Sequence, residues 1–204
     1  MKIKAKINQV VLTNFCAVAC PHFPYGEGSI LKSDLNTSEN FTLPDFKNGE
    51  VYILTGGEPF ESKLLFPAID KITKSQAYFR IATGGYINLR KFYIRLLNSE
   101  SNLGINIGTD VILRLNNDHY TKIWLENWRI FGKLKNTWLT ITLDGDIDFE
   151  KFMQLIEFTK PNTLMLNEIE RGYNSFDKRY ALIQETFPDI TLVNGYRNES
   201  TCNI

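Results

Sequence analysis

Runs of four to six β-branched or aromatic residues recur along this chain with stretches of helical period between them, and that alternation constrains the fold most. The runs are Ile7–Leu12, Val51–Thr55, Tyr78–Thr83, Val111–Leu115, Trp138–Leu143, Thr163–Leu166 and Ile190–Val193. From Val51 onward their starts lie 25 to 33 residues apart. Between them Phe60–Lys74, Leu89–Asn98, Tyr120–Leu134, Phe149–Thr159 and Phe176–Phe187 place apolar residues three and four apart, as one face of a helix does. The alternation predicts βαβ units, hence an α/β fold with a parallel sheet and right-handed crossovers. About seven strands suit either a doubly wound sheet or an incomplete (β/α) barrel, and both put a ligand at the carboxyl ends of the strands. Pro24 to Gly49 breaks the rhythm with a polar stretch rich in Ser, Asn, Gly and Pro, and is expected to be a long functional loop. No linker or repeated module divides the chain, so residues 1–204 are expected to form one domain.

The charges narrow the function. Lys and Arg total 23 and so do Asp and Glu, so no net field recruits nucleic acid or an anionic membrane. No run approaches the ~20 apolar residues of a membrane span. The lysines at positions 2, 4 and 6 have no apolar run behind them, so a signal peptide is not expected. Three cysteines are too few, and odd in number, for a secreted disulfide framework. The expected location is the cytoplasm.

Two features fall at strand ends. After the first strand comes Cys16-Ala-Val-Ala-Cys20-Pro-His22-Phe23-Pro-Tyr25-Gly26, and after the second Thr55-Gly56-Gly57-Glu58-Pro59. Two thiolates on one turn suit a soft metal or an iron–sulfur cluster. Two buried thiols with no chemical role would give the same Cys-x3-Cys spacing. Glycines after a strand permit unusual backbone angles, and Pro59 suits the first turn of a helix. The same turn also offers an open backbone edge to a ligand, with Glu58 beside it.

In this order, on successive strands, the two motifs resemble the radical S-adenosylmethionine (radical SAM) superfamily. Its hallmark is Cys-x3-Cys-x-aromatic-Cys after the first strand, whose three thiolates hold a 4Fe–4S cluster. A Gly-Gly-Glu-Pro motif after the second strand contacts the methionine amino group of SAM. Gly56, Gly57, Glu58 and Pro59 match that motif in full, and Thr83-Gly84-Gly85 is similar to the frequent Thr-Asn-Gly of the third strand. The resemblance implies a partial (β/α)6 TIM-like barrel with helices outside. It also implies Cys16 and Cys20 as metal ligands and Gly56, Gly57, Glu58, Pro59 and Thr83 as SAM-binding residues. Residues near the fourth to sixth strand ends would contact the SAM ribose and adenine, which points to Asn116, Asp144 and Glu168, with Arg114 as a further pocket residue. Turn chemistry and solvated helix starts account equally well for the last four.

The departure is at position 23, where the family's third cysteine is replaced by Phe23. A benzene ring has no lone pair to give iron, so the three-thiolate site cannot form within this motif. His22 fills the aromatic slot and is expected to pack there, although its imidazole could ligate. Cys202 is expected to be a tail thiol of no role. His119 lies in Asn117-Asp118-His119-Tyr120, where a turn or helix cap serves as well as a pocket wall. Tyr120, Trp124, Trp128 and Phe131 stand at helical spacing and are expected to be packing residues.

Three functions follow as expectations. In the first, a reduced cluster cleaves SAM reductively to a 5′-deoxyadenosyl radical that acts on an unknown substrate, with electrons from a flavodoxin or ferredoxin. In the second, the barrel is inactive and binds SAM or a partner. A zinc site from Cys16, Cys20 and His22 is the third, and it lacks a fourth ligand at normal spacing. With three cysteines in all, a second iron–sulfur domain is not expected within these residues.

Overall fold

The computed structural model describes residues 6–13, 15–18, 42–99, 103–115, 117–143, 147–168 and 176–194, apart from the side chains of 168 and 176. Among these residues seven strands form one sheet: β1 (Ile7–Val11), β2 (Val51–Thr55), β3 (Tyr78–Thr83), β4 (Leu103–Gly108), β5 (Thr137–Leu143), β6 (Thr163–Glu168) and β7 (Thr191–Asn194). Helices α1 (Leu65–Ser75), α2 (Tyr93–Leu97), α3 (Asp110–Leu113), α4 (Asp118–Phe131), α5 (Phe149–Thr159) and α6 (Phe176–Thr186) lie between them. Short 3-10 turns at Pro59–Glu61 and Leu89–Phe92 precede α1 and α2.

Every pairing is parallel, and the order across the sheet is the order along the chain. That decides between the two α/β architectures. A doubly wound sheet must reverse its strand order, whereas crossovers that always step the same way put all helices on one face and curl the sheet. The result is an open, partial TIM-like barrel.

The burial pattern follows from this curl. In β5 the outward Leu139, Ile141 and Leu143 are buried against the helices, while the alternate Trp138, Thr140 and Thr142 on the inner face are half-buried. Ile81, Ile105, Ile107, Leu164 and Leu166 continue the outer layer, packed with Ile69 and Ile72 of α1, Trp124 and Phe131 of α4 and Phe152 and Ile156 of α5. Asn117 caps α4 by accepting the Tyr120 N–H at 3.2 Å, and Asp148 caps α5 by accepting that of Lys151 at 3.1 Å. The Lys151 N–H, with the Lys151 charge, holds the Asp148 carboxyl below its ordinary value. Among the described residues no helix is long and apolar enough to cross a membrane.

One strand was misplaced by the sequence reading. Val111–Leu115, expected as the fourth strand, begins as α3, and the strand is Leu103–Gly108. Two glycines and an asparagine weaken the β signal of Leu103-Gly-Ile-Asn-Ile-Gly108. Gly104 makes room there, because a Cβ would come within 2.7 Å of the Arg80 guanidinium carbon and that side chain would have to shift. That guanidinium lies 3.5 Å over the Trp138 ring, and Arg80 donates to Asn106 Oδ1 at 2.8 Å and to the Asn136 carbonyl at 3.0 Å. In the β-branched run that follows, the Asp110–Arg114 ion pair at 3.0 Å, four residues apart, suits a helical turn.

The expected loop of 24–49 is described only from 42. There the chain joins the core, with Phe46 buried edge-on to Tyr52 at 4.7 Å.

Candidate functional site

The loops after β1, β2 and β3 meet at the carboxyl end of the sheet. Gly57 N–H donates to the Thr13 carbonyl at 2.7 Å and Glu58 N–H to that of Phe15 at 2.9 Å. The two glycines therefore let the β2 loop lie directly on the backbone leading to Cys16. A Cβ on Gly56 would overlap the Thr13 carbonyl and one on Gly57 that of Phe15. Gly56 also holds φ at +144°, which side chains other than hydrogen disfavour.

Glu58 precedes the Pro59–Glu61 turn and turns its side chain inward, where it is fully buried. Oε1 accepts from Phe60 N–H at 3.1 Å, Oε2 from Gly84 N–H at 2.9 Å, and Thr83 Oγ1 lies 2.9 Å from both. Burial pushes its carboxyl up to about 7, against the pull of the Phe60, Gly84 and Thr83 hydrogen bonds. Pro59 is buried at the first position of the turn. Thr83 is also buried, and its hydroxyl accepts the Gly85 N–H at 3.1 Å. Five of the expected SAM-binding residues, Gly56, Gly57, Glu58, Pro59 and Thr83, thus come together, and Glu58 and Thr83 face each other.

Cys16 lies beside them. Its thiol donates to the Val18 carbonyl at 2.9 Å, and its Sγ stands 3.4 Å from the Tyr86 hydroxyl. Tyr86 donates to Glu61 Oε2 at 2.7 Å, and the same oxygen accepts the Ala17 N–H at 3.1 Å. Burial pushes the Cys16 thiol up, and the Glu58 and Glu61 charges add to it. Burial also pushes the Tyr86 phenol far up, with Glu58 and Cys16 next, so it remains a proton donor. Val18, Tyr86 and Val111 form a small buried cluster here, with Cys16, Ile87, Leu115 and Tyr120 packed around it. Asn127 of α4 fixes the loop that carries Tyr86: it donates to the Gly85 and Ile87 carbonyls at 2.8 and 2.7 Å and accepts the Leu89 N–H at 3.0 Å.

Tyr86, Glu61 and Asn127 were not singled out from the sequence. The available signal was position: Tyr86 follows Thr83-Gly84-Gly85, and Glu61 ends the Glu58-Pro-Phe-Glu61 turn. Arg114 pairs with Asp110 and donates to the Thr142 carbonyl at 2.9 Å near the end of β5. With β4 ending at Gly108, Arg114 and position 116 follow α3 rather than a strand end. His119 is exposed in the first turn of α4, where the helix-cap reading placed it. Trp124, Trp128 and Phe131 are core, as expected, while Tyr120 packs edge-on to Tyr86 at 5.6 Å. Glu168 ends β6. Cys20, His22, Phe23, Asn116, Asp144 and Cys202 lie outside the described residues.

No protein-family model matches the chain, and no curated protein matches it. Solved structures do. The crystal structure of Streptococcus suis SuiB aligns over 95% of this chain with a TM-score of 0.69 at 9% identity. SuiB bound to S-adenosylmethionine gives 0.69 at 8%, and SuiB bound to the precursor peptide SuiA 0.65 at 10%. SuiB is a radical SAM enzyme. The chain shares the fold of SuiB. At such identity the likeness is one of fold, and the chain spans about half the length of SuiB, 49 to 51%.

A 4Fe–4S cluster does not fit the donor set that the Cys16 motif offers. Position 23 offers no thiolate. The Cys16 thiol is directed at the Val18 carbonyl, and burial, ahead of the Glu58 and Glu61 charges, disfavours the thiolate that a cluster needs. The fold itself does not need the cluster, since its core lies on the outer face of the sheet. Cys16→Ser/Cys20→Ser protein is therefore expected to melt cooperatively within about five degrees of the parent by circular dichroism. A molten double mutant would instead place metal binding within the folding energy.

Proposed function

We propose that this chain is a radical SAM-type barrel that works by binding: it takes S-adenosylmethionine, or the partner that presents it, at the carboxyl ends of its strands without radical chemistry. The observation that carries this reading is the engagement of the Cys16 sulfur with Val18 and Tyr86, in a motif with Phe23 as its third member. Support for S-adenosylmethionine as ligand comes from the retained Gly56–Pro59 turn and from the likeness to SuiB bound to S-adenosylmethionine. A second reading, an active enzyme fed by a flavodoxin or ferredoxin, draws on the same intact turn and on the retention of both Cys16 and Cys20.

One experiment separates them. Protein reconstituted anaerobically with iron and sulfide is titrated with S-adenosylmethionine by calorimetry, then reduced and assayed for 5′-deoxyadenosine. Saturable binding with no 5′-deoxyadenosine is expected. Release of 5′-deoxyadenosine would make the chain an enzyme and overturn the binding reading.

A further inference from the structure

We propose that Tyr86 is a second barrier to iron, independent of Phe23: it clasps the three loops of the mouth together on the sulfur that would be the first ligand. The inference rests on the reading of the chain as a barrel without its cluster. Its parts come from three successive strand ends. The β1 loop supplies Cys16 Sγ and the Ala17 N–H, the turn after β2 supplies Glu61, and the loop after β3 supplies the Tyr86 hydroxyl.

Each of these groups has its partner within the clasp. Glu61 Oε2 receives both the Tyr86 hydroxyl at 2.7 Å and the Ala17 N–H at 3.1 Å. The Cys16 sulfur faces the Val18 carbonyl at 2.9 Å on one contact and the phenol oxygen at 3.4 Å on another. A metal on a thiolate stands about 2.3 Å from sulfur, and a four-iron cube extends well beyond that first atom. Tyr86 is 5% exposed, and its ring packs with Val18, Val111 and Tyr120. Asn127, 1% exposed, ties down the loop on both sides of Tyr86. Cys16 is therefore already engaged by groups of its own fold, whatever residue stands at position 23.

Four proteins test this: the parent, Phe23→Cys, Tyr86→Ala and the Phe23→Cys/Tyr86→Ala double mutant. Each is reconstituted anaerobically with ferrous iron and sulfide and read as iron and sulfide per chain, with a cooperative thermal melt as the check of folding. The double mutant is expected to reach about four irons per chain, and Phe23→Cys alone at least fourfold less. Where the double mutant does not melt cooperatively, Phe23→Cys/Tyr86→Phe is read in its place. That variant keeps the ring and removes the clasping hydroxyl, and should hold at least twice the iron of Phe23→Cys. Full loading of Phe23→Cys alone would overturn the role of Tyr86 while leaving the missing thiolate as the cause. A folded double mutant without iron would also overturn it. A parent that loads fully would overturn the reading on which the inference stands.

Discussion

Gly57→Ala is expected to lower the melting temperature by about 6–12 °C, corresponding to about 3 kcal/mol for a chain of this size. The added methyl has no room, because its position overlaps the Phe15 carbonyl, a backbone atom that cannot rotate aside. Relief requires the β1 loop to lift from the β2 loop, which breaks the hydrogen bonds from Gly57 to Thr13 and from Glu58 to Phe15, 2.7 and 2.9 Å long. Gly56→Ala should do at least as much harm, since it adds an unfavourable φ of +144° to an overlap with Thr13. Scanning calorimetry on both variants checks this. A shift under about two degrees would mean that the two loops are not in fact seated on each other. The same substitutions should weaken S-adenosylmethionine binding, because the loops that they separate form the proposed mouth.

Raising the pH from 5 to 8 is expected to cost the parent up to roughly 3 kcal/mol of stability through Glu58 alone. Its carboxyl is pushed up from 4.5 to about 7 by burial, so between those values the folded state holds a proton that the unfolded chain has released. The stabilisation is therefore fully present below pH 4.5 and is lost as the pH rises through about 7. The neutral acid is well served in place: with Thr83 Oγ1 at 2.9 Å from both oxygens, one proton can be shared between the carboxyl and the hydroxyl. Glu58→Gln has no proton to lose. Urea denaturation at pH 5 and 8 should show the gap between parent and Glu58→Gln narrowing as the pH rises. A constant gap would place a permanently ionised carboxylate in the core, held by Phe60 and Gly84.

How much of this was legible in the sequence differs from part to part. β2, β3 and α5 begin and end where the pattern put them, at Val51–Thr55, Tyr78–Thr83 and Phe149–Thr159, because each has a single dominant period. β4 was hidden because its inner face is built from Gly104, Asn106 and Gly108, and inner-face residues answer to Arg80 and Trp138 rather than to strand propensity. The strand–helix alternation alone leaves a doubly wound sheet and a barrel open, since they differ only in pairing order; the motif resemblance pointed to the barrel that the pairing order shows. At the site, the turn of Gly56–Pro59 could be found because its glycines are demanded by local contacts. Tyr86 could not, because a tyrosine three residues past a strand carries no signal until the fold brings it, from 70 positions away, to Cys16.

The Arg80 stack also sets a depth. Arg80, Asn106 and Trp138 fill the inside of the curled sheet at the level of residue 104 on β4 and 138 on β5. Above them the wall rises only from Asn106 to Gly108 on β4 and from Trp138 to Thr142 on β5. At about 3.3 Å per residue that is roughly 7–13 Å of strand above the stack. A ligand entering between β4 and β5 from their carboxyl ends would meet this stack as its floor.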